Sequence, residues 1–157
     1  MGFISNPING CTEQHLWAAM KQTIRAVASS YPADQVKIKD EGSRTWRSLR
    51  YIGTGAHQGE TIMENIFCSE QDKSIRFVRL DDAGVETDEE VVNIILKDDH
   101  PCMGTVSGFE LVPRIEYYKL KRSTKERIPF ELPLAEAYNA IERTADIARV
   151  IQRSYGH

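Results

Sequence analysis

The sequence predicts an α+β fold: a curved, largely antiparallel β-sheet of about six or seven strands wrapped around a long C-terminal helix. Three observations predict it. Strand-like segments follow one another through connections mostly too short for parallel crossovers. Helical patterns stand near the two ends, at 12–30 and from about 133 onward. The second carries an apolar stripe that needs a partner, and only the sheet is large enough. The 157 residues suit one domain, 1–157, with room for a core.

In TEQHLWAAMKQTIRAVASS (12–30), Leu16, Met20, Ile24 and Val27 make one apolar face, which Trp17 widens. Thr12 is the expected N-cap, and Tyr31-Pro32 ends the helix. QVKIKDEG alternates Val36 and Ile38 with Lys37 and Lys39, an amphipathic strand closed by Asp40, Glu41 and Gly42. RTWRSLRYIG follows, rich in strand formers. A loop punctuated by Gly53, Gly55 and Gly59 comes next. Further strands are expected at 60–68, 74–80, 89–97 and 109–122, where Pro113 marks a bulge, edge or break. The segment 98–108 reads as a loop.

The closing helix places Leu134, Tyr138, Ile141, Ala145, Ala148 and Ile151 on one face, with Ala137, Thr144 and Tyr155 beside them. Glu142, Arg143, Asp146, Arg149 and Arg153 take the other side. Small residues such as Ala140, Ala145 and Ala148 either let a helix approach closely or leave room for something else. A curved sheet gripping one helix can hold a small ligand, so the alanines and Tyr138 are expected to form part of a cavity wall.

Composition narrows the function classes. The chain is 41% hydrophobic and 27% charged, ordinary for a soluble globular protein. Twenty Lys and Arg against 23 Asp and Glu give a net charge of -3, which points to neither nucleic acid nor a membrane surface. No run approaches the length of a membrane span. MGFISNPINGC is too short and polar for a signal peptide, and Asn6 breaks the myristoylation pattern. Cys11, Cys68 and Cys102 follow no ligand-like spacing and read as reduced thiols in a cytoplasmic protein.

Leu16-Trp17 with Asn6-Pro7 upstream, the strand RTWRSLRYIG, and the run from Glu131-Leu132-Pro133 through Ala137-Tyr138 to Arg153-Ser154-Tyr155-Gly156 carry a resemblance. Together they resemble the START-like helix-grip superfamily, and within it the AtaL-like family. The resemblance covers nearly the whole chain in topology but only short stretches in letters. It implies a deep cavity between the sheet and the final helix, and no universal catalytic set. Such folds usually open with a strand and two short helices. Here only FISNPI can be that strand, and one helix is legible. A ketosteroid-isomerase-like cone is the alternative, but it usually ends on strands.

Site candidates are polar residues that two-residue alternation sets among apolar ones. Asn93 shares a face with Val91 and Ile95, and Asn65 with Met63 and Phe67; both are expected to bind ligand. Glu64, between Ile62 and Ile66, is a candidate general base, with a solvent-facing pair to Arg47 or Arg76 as the bland reading. Tyr117 and Tyr118 point opposite ways, so one is expected inside, where its hydroxyl can polarise a carbonyl. Arg47 joins the catalytic candidates, with Arg50 beside it; inside, either must meet an acid. Trp46, Phe77, Tyr138 and Ile141 complete the expected ligand-binding set. The loop around His57 matches no phosphate-binding motif but suits a gate over a cavity mouth. Asp98, Asp99, His100 and Cys102 lack paired ligands elsewhere, and neither metal nor cofactor is expected.

Three functions fit. The first is a cofactor-independent cyclase, isomerase or dehydratase that works by acid–base residues on a small hydrophobic natural-product intermediate. The second is a binding or carrier protein for such a molecule. The third is a structural or chaperone-cofactor role with the cavity filled. The expected partner is a small hydrophobic molecule, and the sequence leaves room for a homodimer.

Overall fold

The computed structural model describes residues 2–29, 31–96, 112–130 and 134–155. The chain runs β1 (Phe3–Ile4), α1 (Glu13–Arg25), a 3-10 turn (Val27–Ser29), β2 (Ala33–Glu41), β3 (Arg44–Tyr51) and β4 (Thr61–Ser69). It continues through β5 (Ser74–Leu80), β6 (Glu86–Leu96), β7 (Arg114–Lys121) and β8 (Arg127–Ile128) to α2 (Leu134–Tyr155). The 98–108 loop with its acid, His and Cys cluster, the Glu131-Leu132-Pro133 opening and Gly156 lie outside the described residues.

The strands form one eight-stranded sheet in the order β1-β7-β6-β5-β4-β3-β2, with β8 also on β7. Every pairing is antiparallel. The α+β architecture of a curved sheet closed by a long final helix is therefore the one expected. FISNPI does supply the opening strand, β1. The segment 127–128 adds β8, which two residues are too short to announce by alternation.

Thr12 caps α1 as anticipated: its backbone is extended and its Oγ1 accepts from the His15 amide at 3.2 Å. The α-helix ends at Arg25, short of the expected 30, and tightens into the 3-10 turn before Tyr31-Pro32. Arg47 Nη1 donates to the freed Ile24 carbonyl at 3.0 Å, so a sheet residue closes the helix end. Gly42, at φ 71°, makes the two-residue link between β2 and β3. Register shifts at Asp34/Lys37 and Val78/Leu80 bend the sheet.

The concave face carries four cross-strand rows. Arg47, Glu64 and Arg79 form the first. Ile66, Phe77, Val91 and Lys119 form the second. Ile75, Asn93, Tyr117 and Phe3 form the third, and Ile95 and Ile115 the fourth. The apolar end of this surface packs under α1 and α2 through Leu16, Met20, Ile24, Ile141, Ala145 and Ala148. A smaller cluster of Val27, Ala33, Leu49, Tyr51 and Ile62 closes the other end.

The buried stripe of α2 is Ala137, Ala140, Ile141, Thr144, Ala145 and Ala148. Tyr138 is 52% exposed, contrary to expectation, with its ring edge-on to Phe3 at 4.7 Å. One helical position is about 100° of rotation, and the stripe is centred on Ala137 rather than its neighbour.

Candidate functional site

A cavity of about 220 Å³ lies between the concave sheet face, the end of α1 and the first half of α2. Its walls come from both hydrophobic clusters, through Val27, Leu49 and Ile62 on one side and Phe77, Phe130 and Ala140 on the other. At about 30 Å³ per water the space equals roughly seven waters, enough for a small organic molecule. Thr54, Ala56 and His57 line it, so the glycine-rich loop does lie against the cavity.

Of the candidates read from sequence, Arg47, Glu64, Phe77, Asn93 and Tyr117 line the cavity. Tyr117 is the inward member of its pair. Its hydroxyl lies near Thr144, whose own proton goes to the Ala140 carbonyl at 2.8 Å. Burial pushes the phenol well above its ordinary range, more strongly than Thr144 lowers it, so Tyr117 is neutral.

Trp46, Asn65 and Tyr118 do not line the cavity. They sit on the convex face, where Trp46 stands opposite Asn65 in the register. Asn65 Nδ2 donates to Glu86 at 3.1 Å, and Arg127 stacks over the Tyr118 ring at 4.0 Å. The alternation was read correctly for all three. What one strand could not reveal is which face turns inward, and each of their strands carries apolar residues on both sides. Ile141 is in the core but not at the cavity.

Glu64 and Arg47 combine two expectations. They pair at 3.0 Å, as the bland reading had it, but inside, with side chains 13% and 7% exposed. Arg47 also lies 5.2 Å over the Phe77 ring. The Glu64 carboxylate is thus held by a guanidinium rather than isolated among aliphatics.

Besides the Nε of Arg47, polar atoms of Asn93 and Arg79 on the cavity wall have no partner among the described residues. Asn93 Oδ1 is buried and bonds to nothing among the described residues. Such a group costs about 1–3 kcal/mol when it stays unpaired. Arg79 is half-buried, and no hydrogen bond or ion pair to a described residue engages its guanidinium. Its charge is felt at Tyr31, whose phenol is nonetheless pushed far up by burial and by Glu64 and Glu136.

Sequence reasoning missed Arg79, Tyr51, Lys119, Tyr31, Thr144 and Glu136. Alternation held signals for three of them: Arg79 shares a face with Phe77, Tyr51 with Arg47, and Lys119 with Tyr117. Lys119 pairs with Glu89 across the strands at 3.1 Å. The others arrive from elements whose placement is tertiary. Glu136, in the first turn of α2, clamps the loop after β3: it accepts from the Tyr51 hydroxyl and from the Thr54 amide at 2.9 Å. Gly53 lies beneath this clamp, where a Cβ would sit 2.5 Å from the Tyr51 oxygen, so any larger residue would require the Tyr51 and Glu136 side chains to shift.

Cys11 and Cys68 carry free thiols that burial pushes upward, as unreactive sulfurs should be. Among the described residues no cluster of His, Cys, Asp and Glu suits a metal ion, and no helix is long and apolar enough to cross a membrane. No protein-family model matches the chain, and no curated protein matches it.

Proposed function

We propose that the chain is a cofactor-independent enzyme of the cyclase, isomerase or dehydratase type, acting on a small hydrophobic molecule held between the sheet and α2. We place it in the START-like helix-grip superfamily, in the AtaL-like branch. The support for that placement is the order of elements, from a short opening strand to a long closing helix. One observation carries the activity: ionisable and hydrogen-bonding side chains converge on an otherwise apolar cavity. A carrier for a hydrophobic ligand needs almost none of them.

The roles follow from the geometry. Glu64 is the proton acceptor: Arg47 holds its Oε1, and no described residue bonds its Oε2. Tyr117 is neutral and delivers a proton or a hydrogen bond to a substrate oxygen. The two project from different rows and different strands, so they address different atoms of one substrate. Isomerisation, dehydration and aldol-type cyclisation each remove a proton at one atom and deliver one at another. Arg79 and Asn93 orient the substrate.

The carrier reading draws on one fact: Glu64 already has a protein partner. Exchange of α-protons of 2-tetralone in D2O, followed by NMR, separates the two. Exchange above the buffer rate is expected, lost with Glu64→Gln and reduced at least about tenfold with Tyr117→Phe. Tyr117→Phe removes only one buried hydroxyl, so its stability falls by no more than about 0.5–1.5 kcal/mol. Binding without exchange would leave the carrier reading standing; unchanged exchange in both variants would remove Glu64 and Tyr117 from the chemistry.

A further inference from the structure

We infer that the cavity selects a small apolar acid that carries a hydroxyl away from its acidic group. This rests on the reading of the cavity as a small-molecule site and names the class of molecule it takes. The first support is the pairing of charges along the walls. Glu64 is matched by Arg47, Glu89 by Lys119 and Glu90 by Arg76. Among the described residues Arg79 is left over, and a guanidinium keeps its charge at any ordinary pH. A half-buried cation against Phe77 and the apolar walls calls for an anion, and the planar fork fits a carboxylate bidentately.

The second support is independent of charge. Asn93 projects from the third row, beyond the apolar Phe77 and Val91 row, and its buried Oδ1 has no partner among the described residues. A hydroxyl both donates and accepts, so it satisfies this amide whichever way its ends are assigned. Opposite Asn93 on β5 stands Ile75, four residues from Arg79, which is about 13 Å of strand between the two backbone positions. The cavity volume of about 220 Å³ is below the range of about 300–1,000 Å³ for drug-sized sites, so the ligand has one or two fused rings. Acid and hydroxyl at opposite ends of a bicyclic frame match that spacing.

The test is calorimetric titration with 6-hydroxy-2-naphthoate, its neutral carboxamide, and 2-naphthoate. The hydroxy acid is expected to bind at least about tenfold tighter than the carboxamide. Arg79→Gln erases that preference, and an unchanged circular dichroism spectrum shows that the variant is folded. The hydroxy acid is also expected to bind more tightly than 2-naphthoate, and Asn93→Leu removes that difference. If Arg79→Gln fails to fold, the wild-type acid-to-amide ratio decides alone. Equal binding of acid and carboxamide overturns the acid, and equal binding of hydroxy acid and 2-naphthoate overturns the hydroxyl, each leaving a small-molecule cavity in place. Binding of none of the three overturns this inference and the small-molecule reading beneath it.

Discussion

Arg47 shows how one residue can serve fold and site together. It closes the end of α1 through the Ile24 carbonyl, holds Glu64, and covers Phe77. Its Nε remains buried without a partner, so even this residue is not fully satisfied. Removing one member of a buried ion pair strands the other's charge, which costs far more than the pair is worth. Arg47→Met is therefore expected to lower the unfolding free energy by about 3–5 kcal/mol, and Arg47→Met/Glu64→Leu by much less. Urea denaturation of the two variants measures this. A double variant as unstable as the single one would mean that Arg47 acts mainly through Ile24 and packing.

At the scale of elements, α2 uses small residues for two different purposes. Ala145 and Ala148 are fully buried against α1 and the sheet, where they permit close approach. Ala140 faces the cavity, where it leaves room. Enlarging them should separate the two uses. Ala145→Leu overpacks a filled interface and should cost about 1–3 kcal/mol of stability. Ala140→Leu grows into open space, so its melting temperature should hold while ligand binding in calorimetry is lost. Equal destabilisation by both would show that the wall around Ala140 is as closely packed as the α1 contact. The loop after β3 belongs to the same element pair, because Glu136 ties it to the start of α2.

For the whole molecule, the cavity walls set an alkaline limit. Tyr31, Tyr51 and Tyr117 reach the cavity from three separate segments, and burial raises all three from an ordinary value of 10.0. In the unfolded chain they ionise near that value, while in the folded protein they keep their protons. Above it the unfolded state binds fewer protons, so stability falls as pH rises. Their contribution is complete below pH 10.0 and is lost as pH climbs toward the raised folded values. Urea midpoints taken between about pH 8 and pH 11 should decline along this course. Tyr117→Phe should make the decline shallower, and a flat profile would contradict the burial of these phenols.

Period and spacing in the sequence by themselves determined the fold class: a helix capped by Thr12, successive antiparallel strands and a closing amphipathic helix. They also determined which residues share a strand face, since alternation is a property of the backbone alone. Thus Asn93 with Val91, Glu64 with Ile62, and the opposition of Tyr117 to Tyr118 were legible. Only the tertiary structure decided which face is concave, because RTWRSLRY and TIMENIFC present apolar and polar residues on both sides. That choice admitted Arg47 and excluded Trp46 and Asn65. It also brought Tyr31 and Thr144 to the cavity from remote segments. The bends at Asp34/Lys37 and Val78/Leu80 and the seating of two helices are collective outcomes of packing, and no local pattern encodes them.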